Sequence, residues 1–186
     1  MKALLDACVL YPTVLREILT GVARAGLYTP LWSDRILEEW ARATVKLGPG
    51  AEDIARGENA VLRAAFPAAS VPPRPGLEAR LHLPDPNDIH VLAAAIAGGA
   101  DVIVTFNAQD FPRHALAEEG LRRMDPDEFL RALHATAPGP VETVVEEVRA
   151  RAEDLSGEAQ PLRPLLKRAR LPRLGKLLSG RAAPHG

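Results

Sequence analysis

The sequence predicts an α/β protein, a three-layer α/β/α fold around a mainly parallel central sheet, with a small C-terminal helical extension. Three observations carry this. Short apolar strand patterns alternate with helical periodicity along the first 137 residues, the order expected of parallel strands joined by crossover helices. The clearest strand, DVIVTF at 101–106, is continuous in Val and Ile, as a strand buried on both faces is. Beyond Pro138-Gly139-Pro140 only helical spacing remains. The expected division is therefore an α/β domain at 1–137 and a basic helical extension at 138–186.

Each element has a local reason. Residues 2–7 (KALLDA) read as a short buried strand ending at Asp6. Pro12 suits a first helical turn, and Val14, Leu15, Ile18, Leu19 and Val22 recur at helical spacing until Gly26 stops them. Residues 27–32 form a second strand, and Ser33 caps a helix whose apolar face is Ile36, Leu37, Trp40, Ala41 and Val45. A third helix over 51–66 places Ile54, Val61 and Leu62 inward. The proline-rich stretch 67–76 reads as irregular. A strongly apolar helix over 89–97 is closed by Gly98-Gly99 and followed by the 101–106 strand. A short helix at 114–119, a strand at 121–124 and a helix at 126–134 complete the body. Pro138-Gly139-Pro140 reads as a hinge, with two or three short helices over 141–155 and 162–178 after it.

Composition narrows the class. With 186 residues, 47% apolar and 25% charged, the chain is an ordinary globular protein and not a disordered one. A lone Cys8 forms no intrachain disulfide. The longest uncharged apolar run, 91–100, is far short of the roughly 20 residues of a membrane helix. Asp6 interrupts the first apolar run, so no secretory leader is read, and the cytoplasm is the expected compartment. The formal net charge of −1 hides an asymmetry. Residues 161–186 carry seven Lys and Arg and no acid, which leaves the first 160 residues at −8. The basic end is either a contact for a polyanion or a solvated tail.

In a parallel sheet the ligand site lies beyond the carboxyl ends of the strands. Asp6 ends the first strand, Asp85 and Asp88 precede the apolar helix, and Thr105, Asn107 and Asp110 follow the 101–106 strand. Glu39 lies on the second helix. Carboxylates converging without Lys or Arg repel one another, and a divalent cation relieves that repulsion. Oxygen donors with no Cys–His cluster suit Mg²⁺ or Mn²⁺ over Zn²⁺. Each residue also has a plainer reading. Asp85-Pro86-Asn87-Asp88 is good turn and cap chemistry, Glu38 and Glu39 can both be helix surface, and Asn107 and Asp110 can simply shape a loop. Asp6, a charge between Leu5 and Ala7, is costly without a partner.

Other chemistries find less support. His90 reads as a helix partner or surface residue, and Cys8 as core. His82, His114, His134 and His185 show no HxH or HExxH spacing. GxSxG, P-loop and GxGxxG motifs are absent.

These motifs together resemble a PIN-domain nuclease, of the VapC-like kind found as toxins of type II toxin–antitoxin pairs. LLDACVL at 4–10 is similar to the family's first strand with its leading Asp. SDRILEEW at 33–40 matches a Ser followed six residues later by an acid, here Glu39. The stretch LPDPNDIHVLAAAIAGGADVIVTFNAQDF at 83–111 matches an Asp opening a small-residue helix, then a strand, then Thr and an acidic or amide loop. The resemblance covers about residues 2–130. One departure stands out: Asn107 occupies a position where many PIN domains carry Asp, with Asp110 supplying charge three residues on. The run from Arg170 to Leu178 resembles the helical extension of one PIN-toxin subgroup.

The resemblance implies a Mg²⁺-dependent endoribonuclease hydrolysing RNA phosphodiester bonds, with one or two ions. It places Asp6, Glu39, Asp88, Asn107 and Asp110 in the catalytic set and the metal on Asp6, Asp88 and Asp110. Asp85 and Thr105 support them. Glu39 would orient or deprotonate a water. RNA, a cognate antitoxin and a second copy of the chain are the implied partners, and no membrane. The alternatives are a PIN-fold scaffold without catalysis and a haloacid-dehalogenase-like phosphatase. The latter needs an acid two residues after Asp6, where Cys8 stands.

Overall fold

The strand β1 (Lys2–Leu5) is central in a four-stranded sheet with β2 (Thr29–Leu31), β3 (Val102–Val104) and β4 (Arg122–Met124), in the order β2-β1-β3-β4. The fold comes from a computed structural model that describes residues 1–181. All three pairings are parallel, with Leu4 opposite both Leu31 and Ile103, and Ile103 opposite Arg123. A parallel sheet with helical crossovers is what the three-layer α/β/α class requires, and additional helices follow at the C-terminal end. Leu4, Leu5 and the whole of β3 are fully buried, which explains their unbroken apolar sequence. The hydrogen-bonded strand at 101–106 is shorter than its pattern: Asp101 instead accepts from the backbone N–H of Lys2 through Oδ2 at 2.6 Å.

Contacts divide the chain into two units. The first takes in residues up to Tyr11 and Tyr28–Asp125. Here β1 runs directly into α1 (Ala7–Leu10), with Asp6 in extended conformation at its start. Helix α3 (Asp34–Ala43) begins as expected, with Ser33 Oγ accepting from the Ile36 N–H at 3.2 Å. Its buried face is Ile36, Leu37, Trp40 and Ala41. Val45 falls in the following 3₁₀ turn and is exposed. Helix α4 (Ala51–Ala65) packs on α3 but turns a different face inward. Ala55, Asn59 and Leu62 are buried, while Ile54 and Val61 are 67% and 62% exposed. Asn59 decides the rotation, because its Nδ2 donates to the Leu37 carbonyl at 3.0 Å.

The stretch 67–76 is more ordered than its prolines suggest. Val71 N–H donates to the Trp32 carbonyl at 2.8 Å, Trp32 bridges Ser70, and α5 (Pro75–Glu78) opens on Pro75. Helix α6 (Ile89–Gly98) packs on β1 and β3 and ends at Gly99, whose φ of +64° favours glycine. Gly98 is required by space, since a Cβ there would stand 2.8 Å from Leu31 Cδ1. Helix α7 (Arg113–Glu118) packs against β4.

The second unit joins residues 12–27 to the chain from Pro126 onward. Its helices are α2 (Thr13–Arg24), α8 (Pro126–Thr136), α9 (Pro138–Ser156), α10 (Leu162–Arg168) and α11 (Pro172–Arg181). Pro138-Gly139-Pro140 is no hinge. It is the first turn of α9, where prolines lose no hydrogen bond. Val141, Val144, Val145 and Val148 form the buried stripe of that helix, and a Cβ on Gly21 of α2 would come 2.5 Å from Val144 Cγ1. Asp127 Oδ2 and Oδ1 accept from the N–H groups of Arg173 and Leu174, at 2.8 Å each, where α11 starts. Leu165, Leu166, Leu171 and Leu174 are buried. The basic segment is therefore folded through Arg181, and His185 lies outside the described residues.

Candidate functional site

Parallel β1 and β3 end side by side, so Asp6 and Thr105, each one residue beyond its strand, meet. Both are buried, at 4% and 2% exposure. Thr105 Oγ1 donates to Asp6 Oδ2 at 2.6 Å and accepts the Asn107 N–H at 2.9 Å. The Asp110 N–H then donates to the Asn107 carbonyl at 3.2 Å. Thus Asn107 and Asp110 do shape a loop, and that loop is fastened to Asp6. Cys8, expected in the core, is half-buried, and its thiol donates to Asp6 Oδ2 at 3.2 Å. Burial, followed by the charge of Asp6, pushes that thiol up to about 12, so it is no nucleophile.

Asp88 sits in the 3₁₀ turn Pro86–Asp88 that leads into α6. Burial raises its carboxyl to about 6, reinforced by the negative charges of Asp6, Asp110 and Asp85. Four carboxylates from three separate segments therefore share one electrostatic neighbourhood. Asp85 has a second duty: its Oδ1 accepts from the Asn87 N–H at 2.9 Å and Nδ2 at 3.0 Å, as turn chemistry requires.

Glu39 and Glu38 separate clearly. Glu38 is a surface acid paired with Arg56 and Arg42, which hold it down at about 2. Glu39 has Arg35 Nε at 3.2 Å and His90 Nε2 at 2.9 Å, both on Oε1. Burial pushes its carboxyl up, and His90 and Arg35 outweigh that to leave it below the ordinary value. His90 itself is 5% exposed and faces Glu39, so of its two readings the helix partner holds and the surface residue does not. The contact with Glu39 lies off the hydrogen-bonding axis, and neither ring nitrogen has a well-formed hydrogen bond. The one sequence signal for this is a polar ring inside the apolar run IHVLAAAIA.

The acids are hard oxygen donors with uncompensated negative charge, the chemistry that suits a divalent cation of the Mg²⁺ or Mn²⁺ kind. Among the described residues, however, no three of His, Cys, Asp and Glu stand close enough to hold an ion as the side chains lie. Asp6 Oδ2 is instead engaged by Thr105 Oγ1 and the Cys8 thiol. No helix among the described residues is long and apolar enough to cross a membrane.

A family model described as the PIN domain matches residues 2–109, more than half of the chain. Among curated proteins, the chain is similar to one of Mycobacterium tuberculosis (strain ATCC 25618 / H37Rv) named "Putative ribonuclease VapC50", with 49% identity over 43 residues. That match spans 23% of this chain and 25% of the relative. No solved structure matches the chain significantly.

Proposed function

This chain belongs to the PIN-domain family, and on that footing we propose that it is a metal-dependent endoribonuclease acting as the toxin of a toxin–antitoxin pair. The observation that carries the reading is the raised carboxyl of Asp88 among Asp6, Asp110 and Asp85. Such unrelieved negative charge at strand ends costs stability and is kept where a cation or a reaction needs it. Asp6, Asp88 and Asp110 would hold one or two Mg²⁺ or Mn²⁺ ions, which when bound supply charge neutralisation at the phosphate and a more acidic water.

The chain's own groups have separate tasks. Thr105 fixes the rotamer of Asp6 through Oγ1 and ties the Asn107–Asp110 loop to it. Arg35 and His90 keep Glu39 ionised, and because both contacts fall on Oε1, Oε2 faces the task of orienting a water and taking its proton. We assign the nuclease domain to residues 1–137 and a basic helical extension to 138–186. RNA is the substrate. The antitoxin is a small protein encoded alongside that offers Arg or Lys to the acidic crevice. Self-association into a homodimer is supported by the exposed apolar side chains of Val45, Leu47, Ile54 and Val61.

The test is cleavage of tRNA and rRNA fragments with and without Mg²⁺. The wild type is expected to cut only with the ion, and Asp6→Asn to abolish both cutting and growth inhibition. Unchanged activity in Asp6→Asn overturns the site, and no cleavage by the wild type favours the scaffold alternative.

A further inference from the structure

The basic end of the chain is folded through Arg181, and the nuclease reading leaves it without a task. Residues 162–181, the helices α10 and α11 with their turn, carry seven Lys and Arg and no acid. Crowded like charge opposes folding unless something neutralises it. On α9 the chain supplies that neutralisation itself: Arg149 is paired with Glu146 and Glu153, and Arg151 with Glu17 of α2. On α11 it does not. Arg173, Lys176 and Leu177 lie about one turn apart on the exposed side of that helix. Arg131 of α8, which packs on α11, joins them around an open depression of about 640 Å³. The charged heads of these three residues have no partner among the described residues.

The acid at the start of α11 leaves the depression basic. Asp127 is buried and accepts the N–H groups of Arg173 and Leu174, so its charge is set against the helix N-terminus and fixes the backbone that bears Arg173. Lys and Arg offer donors and no acceptor, which suits an oxygen-rich anionic surface and carries little information on base sequence. The guanidinium fork matches paired phosphate oxygens, and the ammonium adds a point charge. Leu177, 38% exposed, is the apolar member. It suits the face of an unpaired base, which a duplex keeps inside its stack.

Resting on the nuclease reading above, we propose that the α8–α11 depression is a second anchoring site for single-stranded RNA, with Arg131, Arg173 and Lys176 holding backbone phosphates at nucleotides other than those being cut. The acids at the strand ends belong to the other unit of the chain, and the depression has no acid and no nucleophile among its described residues. Its contribution is binding alone. Affinity gained there by the free RNA persists in the transition state, so it lowers KM and leaves kcat to the acids. It also makes recognition depend on length, because a strand covering only the cut gains nothing from it.

The test measures binding of a fluorescein-labelled oligouridylate of about 20 nucleotides in EDTA, longer than the roughly 4–16 nucleotides that a single-strand site spans. Replacing Arg131, Arg173 and Lys176 together with Gln should weaken binding about 100-fold at about 0.1 M salt. Each phosphate contact adds about 0.7 decade of affinity for every decade by which salt lies below 1 M. Arg131→Lys with Arg173→Lys and Lys176→Arg keeps the charges and should retain most of the affinity. Leu177→Asp should weaken it. In Mg²⁺, the Gln variant should raise KM for an rRNA fragment that the wild type cuts, the loss falling on KM and not on kcat. An oligonucleotide of about four residues spanning the same cut should show no such rise.

The proposal is overturned if the Gln variant binds oligouridylate as the wild type does, or if it loses as much on the short substrate as on the long one. Tighter binding of duplex DNA than of oligouridylate, or loss of antitoxin binding alone, also overturns it. Binding in EDTA that the Gln variant loses, with no RNA cleaved by the wild type in Mg²⁺, would sink the nuclease reading and leave the anchoring site standing. Cleavage by the wild type with a KM that the Gln variant shares would do the reverse.

Discussion

Thr105 Oγ1 stands 2.6 Å from Asp6 Oδ2, joining two residues that are 99 positions apart in the chain. Because Thr105 also accepts the Asn107 N–H, one hydroxyl sets both the carboxylate and the loop. Thr105→Val keeps the shape, leaves Asp6 Oδ2 with the Cys8 thiol alone and deprives the Asn107 N–H of its acceptor, at a cost of about 1–3 kcal/mol in a urea melt. Cleavage should fall about 10–100-fold, as it does when a residue supporting a metal ligand is removed. Thr105→Ser should retain most of both.

Asp88 gives a pH-dependent signature. Its carboxyl titrates near 6 in the folded chain, above the ordinary 3.8. The ionised form therefore opposes folding: the penalty is absent below the lower value and complete above the higher one. Asp88→Asn should be inactive yet melt higher than the wild type in EDTA at pH 8, by about 2–4 °C for each kcal/mol relieved. The difference should shrink as the pH falls below about 6 and vanish by about pH 3, where the carboxyl is protonated in both the folded and the unfolded chain, and Mg²⁺ should raise the melting temperature of the wild type alone. An Asn variant that melts lower at pH 8 would contradict the crowding of charge around Asp88.

The basic segment should act by charge. Arg131, Arg173 and Lys176 border one depression, and their charged heads have no partner among the described residues. Deleting residues 161–186 would uncover buried leucines, so point variants are the better probe. Replacing all three with Gln should reduce the slope of log K against log salt for single-stranded RNA by about 0.7 for each phosphate no longer engaged. An unchanged slope would place the RNA elsewhere.

The exposed face of α4 predicts an assembly. Ile54 and Val61 lie two turns apart on one side of the helix, and Val45 and Leu47 just before it are exposed as well. Ile54→Asp with Val61→Asp should convert dimer to monomer in sedimentation, with little change in stability because neither side chain is in the core.

That same face shows where the legibility of the sequence stops. Ile54 and Val61 are the larger apolar residues, so periodicity alone turns them inward. The burial of Ala55, Asn59 and Leu62 follows from one side-chain amide reaching the Leu37 carbonyl. Spacing carries no record of that partner. Ser33, by contrast, acts within four residues of itself, and its cap is readable. The strands β1 and β3, the apolar helix and the placement of Asp6 are legible for a similar reason, because burial on both faces leaves an unbroken apolar run. His90 is not, since its meaning depends on Glu39, which lies on a different helix. Pro138 and Pro140 suggest a hinge in sequence because proline marks both a break and a first turn.

Gly21 on α2 meets Val144 on α9, and 123 residues separate them in the order of synthesis. At translation speeds of about 5–20 residues per second, α2 emerges roughly 6–25 s before the helix that covers it. Its apolar stripe of Leu15, Ile18, Leu19 and Val22 spends that interval without its final cover. Completion of the helical unit is thus a late event on the ribosome's clock, and a nascent-chain binder would find α2 first.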